Sequence, residues 1–251
     1  MAAHYDTYDY PSYWNGREYE HRSEVEAIKS FLNKVPKSKK ILEIGAGYGR
    51  LTPCYSFRGK QIYLSDPSSK LLAQAKVTFN QNNFKFIHSS IKSLPTKFKA
   101  NSFDLIVCVR VMHHIDDVEN AINIICSLLK NKGYLILEFA NKKHFKAIIS
   151  EFLKGNITFP LDIFPLDKRS PRSIKNKTLP FLNYHPEVMK ALLTNCSFEL
   201  LEIRSVSNIR NSFLKQLLPL ESLISLEKTL QIPLGYIHFG PSIFVLAQKR
   251  S

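Results

Sequence analysis

Residues 41–66 of this 251-residue chain are predicted to form two strands joined by a glycine-rich turn. The first strand, residues 41–44, is apolar, and the second, residues 62–64, is soon followed by an acid, Asp66. The turn contains three glycines, Gly45, Gly47 and Gly49. Glycine suits a sharp bend that a ligand approaches closely, and a helix beginning there would direct its backbone N–H groups at the ligand. The stretch therefore predicts an α/β protein with a site for a nucleotide-like cofactor.

Strand and helix patterns alternate from this turn to residue 140. Apolar runs predict strands at 84–88, 103–109 and 134–139. Apolar residues at helical spacing predict helices at 68–79 and 118–129, and Asn131-Lys132-Gly133 predicts a turn before the strand at 134. The alternation predicts a parallel sheet with helices on both faces, joined by right-handed crossovers.

The regular alternation is interrupted twice in the second half of the chain. Residues 141–185 contain four prolines among scattered bulky apolar side chains, and residues 207–235 contain leucines at helical spacing, broken at Pro219. A helix at 186–194, a strand at 198–206 and a strand pair or bulged strand at 236–247 complete the prediction. We expect a single domain, 1–251, in which residues 1–34 form an aromatic and helical cap. The two interruptions, 141–185 and 207–235, are predicted to be inserted substrate-cap segments.

The composition is typical of a soluble globular protein. No run of about 18 apolar residues occurs, and the N-terminus lacks a basic segment followed by an apolar one, so we expect a cytoplasmic protein without a transmembrane segment. The formal net charge of +14 attracts anionic macromolecules weakly. The basic residues are spread along the chain and are not interleaved with aromatic ones, so nucleic acid is not favoured as a partner. The four cysteines lack zinc-ligand spacing, and no metal is expected.

The glycine spacing distinguishes two classes of cofactor. A dinucleotide fingerprint, G-x-G-x-x-G, would need glycine at Arg50, whereas this chain has G-x-G-x-G with Glu43 two residues before it. This arrangement resembles motif I of the class I S-adenosylmethionine (SAM) dependent methyltransferases. The resemblance implies that Glu43 helps to hold the amino-acid end of SAM and that Asp66 grips the ribose hydroxyls. It implies further cofactor contacts from Gly45, Ala46, Gly47, Gly49 and Pro67.

Three further segments carry the same resemblance. Residues 88–95 match the family's adenine loop, with Ser90 where aspartate is common, and imply contacts from the Ser90 hydroxyl and the Ile91 backbone N–H. Residues 109–115 resemble the segment after the fourth strand, which implies a cofactor contact from Arg110. Gly133 matches the glycine before the fifth strand. The resemblance is strongest to the small-molecule branch that includes ubiquinone and menaquinone biosynthesis methyltransferases.

The family resemblance also implies a fold: a Rossmann-like three-layer α/β/α sandwich with a mostly parallel seven-stranded sheet. Its last strand would be antiparallel to the others. Ligands of open α/β sheets bind at the carboxyl ends of the strands, so the cap and the inserted segments are expected to form the substrate pocket there.

Methyl transfer requires a nucleophile held about 3 Å from the methyl carbon, opposite the sulfur. A general base is needed only when that nucleophile arrives protonated. His113 and His114 are the candidate bases, because imidazole titrates near neutral pH and their segment follows the fourth strand. In the alternative interpretation, each is a helix-start histidine bonded to the backbone. Tyr184 and His185 form a second candidate pair, although His185 precedes a proline and could simply cap the next helix.

The sequence thus predicts transfer of a methyl group from SAM, leaving S-adenosylhomocysteine, to a small-molecule or lipid-like acceptor by a monomer or homodimer. An RNA or protein methyltransferase is an alternative because of the charge, although the N-P-P-Y or D-P-P-Y segment of base amino-group methylases is missing. A catalytically silent SAM-binding protein is another, because Ser90 replaces the usual acid. A nicotinamide-dependent oxidoreductase is disfavoured by the glycine spacing.

Overall fold

A seven-stranded sheet forms the centre of the computed structural model, which describes residues 9–176 and 178–251. The strand order is β3-β2-β1-β4-β5-β9-β8. The strands of this sheet are β1 (Ser38–Ile44), β2 (Gly59–Asp66), β3 (Phe84–His88), β4 (Phe103–Cys108), β5 (Leu129–Ala140), β8 (Phe198–Val206) and β9 (Ser242–Lys249). Two short strands, β6 (Leu166–Asp167) and β7 (Leu182–Asn183), pair separately.

Helices cover both faces of this sheet. The helices are α1 (Glu18–Leu32), α2 (Ser69–Thr78), α3 (Val118–Leu128), α4 (Phe145–Leu153), α5 (Pro171–Lys175), α6 (Pro186–Asn195), α7 (Ser212–Leu217) and α8 (Leu220–Tyr236). Leu42 and Ile44 of β1 pack in one core with α3 and α6, whereas Ile41 packs in a second core with α1 and α2. Successive strand residues point to opposite faces, so β1 serves both cores. The predicted three-layer α/β/α fold is confirmed.

The strand directions position the site. β9 runs antiparallel to both β5 and β8, while β1, β2, β3, β4 and β5 pair in parallel, which confirms the predicted antiparallel last strand. Ile44 at the end of β1 is in register with Ser65 of β2 and Cys108 of β4, so these three strands end at one edge of the sheet. The strand order reverses between β1 and β4, which opens a crevice at that edge.

The prediction of a helix directly after the glycine turn is wrong. Two single-turn 3-10 helices, Thr52–Cys54 and Ser56–Arg58, occupy that connection instead. Pro53 supplies no backbone N–H for a continuing helical ladder, and the chain forms two separate short turns before β2 begins at Gly59.

Two other local predictions also need correction. Residues 131–133 are not a turn before β5 but a bulge within it, since pairing with β4 jumps from Leu129 to Tyr134 and Lys132 has a φ of 61°. The closing strand pair is a single strand, because residues up to Tyr236 belong to α8 and β9 begins only at Ser242.

The predicted cap and inserted segments contain several of the remaining elements. Residues 1–8 of the cap lie outside the described residues, and α1 follows from Glu18. The segment 141–185 contains α4, β6, α5 and β7, and the segment 207–235 contains α7 and most of α8. None of the helices in the described part of the chain has the length and apolar character needed to cross a membrane.

Candidate functional site

A cavity of about 340 Å³ opens at the carboxyl ends of β1, β2 and β4. Nine of the ten predicted cofactor-binding residues line it: Glu43, Gly45, Ala46, Gly47, Asp66, Pro67, Ser90, Ile91 and Arg110. The tenth, Gly49, does not line the cavity, and of the two candidate bases only His114 does. Residues from four separate segments are therefore brought together by the register of the parallel strands β1, β2, β3 and β4.

The glycines of the turn have different roles. A Cβ on Gly45 would lie 2.2 Å from Val111 Cγ2, and one on Gly49 would lie 2.3 Å from the Phe79 ring, so both positions have no space for a side chain. Gly47 has a φ of +55°, but a Cβ there would meet no atom closer than 3.7 Å. Gly45 and Gly49 thus allow close packing around the turn, while Gly47 leaves space on the cavity side.

Asp66 links the second strand to the glycine turn. Its Oδ2 accepts a hydrogen bond from the Gly47 backbone N–H at 2.8 Å, and its Oδ1 accepts one from Ser68 N–H at 2.7 Å. The carboxylate is buried, with 6% of the residue exposed, and lines the cavity. Carboxylate oxygens are acceptors of the kind that a diol needs.

Glu43 is a second buried acid in the cavity wall. Its Oε2 accepts hydrogen bonds from Thr52 Oγ1 at 2.6 Å and from the Tyr55 hydroxyl. Burial raises the pKa of Glu43 to about 7, although the two hydrogen bonds and Arg50 oppose that rise. Its protonation therefore changes near neutral pH, and a cation bound beside it would favour the ionised form.

This raised pKa predicts a pH-dependent stability. Between pH 4.5 and about 7 the folded protein holds a proton on Glu43 that the unfolded chain releases, so the free energy of unfolding falls as pH rises through this range. The expected loss is on the order of 3 kcal/mol, levelling off above pH 7. Urea unfolding of the cofactor-free wild-type protein and of the Glu43→Gln variant at pH 5 and pH 8 measures this loss. The variant is the control, because its amide does not titrate. Identical pH dependence in both proteins would contradict the assignment.

Arg110 lines the cavity, and its guanidinium is held by Glu24 of α1. Its Nε donates to Glu24 Oε1 at 2.7 Å, and Arg50 donates to Glu24 Oε2 at 2.6 Å. Burial alone would raise the pKa of Glu24, but Arg110 and Arg50 together lower it, so this acid is ionised. The Arg50 guanidinium also lies 3.5 Å from the centre of the Trp14 ring. The cluster fastens α1 and the preceding turn to the cavity wall.

The adenine-loop residues border the cavity at the end of β3. Ser90 is exposed, and its Oγ lies 3.3 Å from Ser93 Oγ. Ile91, 5% exposed, begins the 3-10 helix Ile91–Thr96 and packs in the core that contains α3. The hydroxyl is therefore accessible to a polar ligand, and the Ile91 side chain anchors the loop.

His113 and His114 are adjacent on the 3-10 turn Met112–His114 but occupy different environments. The ring of His113 is buried 4.7 Å from the Phe181 ring, and burial lowers the pKa of His113 well below its usual value. His114 lines the cavity, and its Nδ1 lies 2.7 Å from the Pro180 carbonyl oxygen. Because a carbonyl only accepts, Nδ1 carries a proton, and in the neutral ring the lone pair is on Nε2.

The second candidate pair has backbone partners. The Tyr184 hydroxyl donates to the Ile115 carbonyl oxygen. His185 is the N-cap of α6: its Nδ1 accepts from Glu187 N–H at 3.2 Å, and its Nε2 lies 3.1 Å from the Pro160 carbonyl oxygen. Neither residue lines the cavity, and the alternative interpretation of His185 as a cap describes its contacts.

Several cavity residues were missed by the sequence reasoning. Tyr10, Tyr48, Arg50 and Leu179 line the cavity, and Glu24 holds two of the arginines around it. An acid on the apolar face of a predicted helix was the available signal for Glu24, because an acid that is buried needs a partner. The described ranges contain no group of three or more His, Cys, Asp or Glu side chains placed to hold a metal ion.

Comparison with known proteins places the centre of the chain in a family. Residues 42–137 match the family model described as a methyltransferase domain. An uncharacterized protein of Methanocaldococcus jannaschii is 37% identical over 118 residues, and the match spans 46% of each chain, about half of that relative's length. A ubiquinone biosynthesis O-methyltransferase of Rickettsia bellii is 24% identical over 177 residues, 68% of this chain and 71% of that enzyme.

Solved structures show the same fold over nearly the whole chain. A SAM-dependent methyltransferase of Thermotoga maritima has a TM-score of 0.66 at 20% identity, covering 98% of both chains. Another, from Mesorhizobium loti, has a TM-score of 0.59 at 14% identity, covering 90% of this chain and 98% of that one. The architecture is therefore shared well beyond the residues 42–137 that match the family model.

Proposed function

We propose that this chain, whose residues 42–137 match a methyltransferase-domain family model, transfers a methyl group from SAM to an oxygen of a small, largely apolar acceptor. The observation that carries the proposal is the cavity wall beyond β4. There, the side chains of Val111, Ile115 and Leu179 line the same cavity as the His114 imidazole. Apolar side chains beside an imidazole suit an acceptor that has a reactive hydroxyl on a hydrophobic body.

The residues of the cavity fit the cofactor. When bound, SAM supplies an electrophilic methyl group whose bonding electron pair remains on sulfur after transfer. Glu43 would hold the amino group at one end, since burial beside a cation favours its ionised form. Asp66 would accept hydrogen bonds from the ribose hydroxyls, and Ser90 with Ile91 would border the adenine. The open side of Gly47 leaves the space between these groups.

His114 is the residue that we assign to proton removal. With its Nδ1 proton held by the Pro180 carbonyl, His114 would take the hydroxyl proton on Nε2 as the acceptor oxygen gains the methyl group. The neighbouring His113 is a weaker base, because burial lowers its pKa, and it does not line the cavity. His113 instead supports the His114 ring, at a distance of 4.0 Å between ring centres.

The name of one relative supports an oxygen acceptor. The Rickettsia bellii relative is a ubiquinone biosynthesis O-methyltransferase, and it is similar to 68% of this chain. Its name indicates methylation of oxygen on a molecule in the biosynthesis of a lipid-soluble quinone. An acceptor of this class agrees with the apolar wall and with the position of one base beside it.

A panel of acceptors tests the proposal. The protein is incubated with methyl-labelled SAM and with phenols, catechols and quinols that carry alkyl chains of increasing length, and in parallel with RNA and with protein mixtures. We expect label in the small molecules, with higher kcat/KM for the longer chains. Label found only in RNA or protein would contradict the acceptor class, and SAM binding without transfer to any of them would indicate a silent binding protein.

A further inference from the structure

One face of the molecule exposes an unusual amount of apolar surface. It comprises α4, the loop 157–164 and α7, which we call the apolar patch. Phe152, Leu161 and Phe164 are 63%, 78% and 73% exposed, and Phe213 and Leu217 of α7 are 66% and 64% exposed. Single exposed apolar side chains are ordinary, but a cluster of large ones on a soluble domain indicates a surface that is covered by a partner.

The segments of the apolar patch lie side by side. The 3-10 turn Phe159–Leu161 contacts α4 directly. A second cavity, of about 400 Å³, lies between α4 and α7, with Phe145 from one and Leu214 from the other in its wall. The patch is therefore a continuous surface with a hollow in it.

Basic side chains that form no ion pair with a described residue are found in the same segment as much of the apolar patch. The three acids of residues 141–178 are already paired, Asp162 with Lys142, Glu151 with Lys154 and Asp167 with Arg169. Four exposed cations of the same segment form no ion pair with a described residue: Lys146, Lys168, Arg172 and Lys175. Of these, Lys146 on α4 and Lys168, whose charge acts on His144 at the start of α4, form the basic rim of the patch together with Arg210.

The basic rim reaches the first turn of α4. His144 is the N-cap of this helix, and after burial the charges that lower its pKa, to about 4, are those of Arg210, Lys168 and Lys146. Lys146 Nζ also lies 3.4 Å from the Arg210 carbonyl oxygen. Cations from three separate segments thus converge beside the exposed phenylalanines and leucines.

We propose that the apolar patch and its basic rim dock this protein on the surface of an anionic lipid bilayer. Protruding phenylalanine, leucine and isoleucine side chains would enter the boundary between headgroups and acyl chains, and the lysines and arginines would contact acidic headgroups. A nucleic acid offers no apolar phase for leucine and isoleucine side chains. A second copy of a chain with a formal charge of +14 would be repelled at low ionic strength.

The chain connects the docked face to the cavity. The segment that carries Lys168 continues to Leu179 in the cavity wall and to Pro180, whose carbonyl holds His114. Docking would therefore place the acceptor side of the cavity close to the bilayer, where a lipid-like acceptor partitions. That consequence rests on the proposed function, whereas the docking itself does not.

Sedimentation with lipid vesicles tests the docking without cofactor or acceptor. We expect the wild-type protein to pellet with vesicles of phosphatidylcholine and phosphatidylglycerol, to remain in solution with phosphatidylcholine alone, and to be released by salt. Failure to pellet with the anionic vesicles at low salt, or equal pelleting with the neutral ones, would overturn the proposal. Because methyl transfer plays no part in this measurement, its outcome is separate from that of the acceptor panel.

Paired variants locate the surface. Phe152→Ser with Phe164→Ser, and separately Lys146→Glu with Lys168→Glu, are each expected to weaken vesicle binding at least about tenfold. The matched controls are Phe57→Ser with Val77→Ser, at positions 73% and 82% exposed, and Lys60→Glu with Lys76→Glu. All eight side chains are exposed, so the variants should keep the wild-type circular dichroism and thermal unfolding. Equal loss of binding in the patch variants and the controls would overturn the assignment to this face.

Discussion

Replacing Asp66 with alanine is expected to weaken SAM binding at least about a hundredfold. The carboxylate is proposed to accept hydrogen bonds from both ribose hydroxyls, and charged hydrogen bonds of this kind contribute about 1.5–3 kcal/mol each. It also accepts the Gly47 and Ser68 backbone N–H groups, so its loss loosens the glycine turn as well. Asp66→Asn retains one acceptor oxygen and should lose about tenfold. Isothermal titration calorimetry of the three proteins measures the effect.

Asp104 provides the matched control for this experiment. Its Oδ2 also accepts two backbone N–H groups, from Lys39 at 2.9 Å and Lys40 at 2.7 Å, but it lies at the opposite edge of the sheet, near the start of β4. Asp104→Asn should reduce the free energy of unfolding and leave SAM affinity unchanged. If Asp66→Asn and Asp104→Asn lowered affinity equally, or if Asp66→Ala bound SAM normally, the assignment of Asp66 to the ribose would be wrong.

Replacing His114 with glutamine should reduce kcat about a hundredfold to ten-thousandfold with an accepted phenol, while SAM affinity stays within about threefold. The glutamine side chain is close to imidazole in length and is polar, but its amide cannot take a proton. The residual rate of the variant should rise with pH as the phenol ionises by itself, and this response distinguishes lost base catalysis from a misplaced loop. Steady-state kinetics across pH 6–10 measure kcat and its dependence on pH.

His185 is the control histidine. It caps α6 through Nδ1, and its Nε2 has a carbonyl partner, so His185→Gln should lower thermal stability and leave kcat close to that of the wild-type protein. A His114→Gln protein with kcat within a few-fold of wild type would show that the acceptor arrives already deprotonated or that another group acts as the base.

The strands were largely predictable because each is a short apolar run with clear ends. β3 and β8 occupy the predicted residues 84–88 and 198–206, and Ser68, at the start of the predicted helix 68–79, caps α2, its side chain accepting from Leu71 N–H. Such signals are local: an apolar run marks a buried strand, and a serine before a helical pattern marks its start. The missing helix after the glycine turn shows the limit, because the chain forms two separate short turns there, the first containing Pro53.

The site was predictable where it lies on one motif and not where it depends on distant partners. The turn and Asp66 follow from spacing along the chain, and the register of β1 and β2 brings them together. The pairing of Glu24 with Arg110 joins residues 86 positions apart, and no local pattern indicates it. The difference between His113 and His114 likewise depends on how the 3-10 turn packs against Phe181 and Pro180. Tertiary contacts, not residue type, separate the two imidazoles.

Calorimetric titration of the wild-type protein with SAM and with S-adenosylhomocysteine tests the central claim most directly. The cavity at the ends of β1, β2 and β4 should bind one molecule of either ligand per chain, with affinity for SAM rising between pH 6 and 8 as Glu43 ionises. NAD titrated under the same conditions should give no heat of binding. Folded protein that binds neither SAM nor S-adenosylhomocysteine, or that binds NAD in their place, would contradict the account.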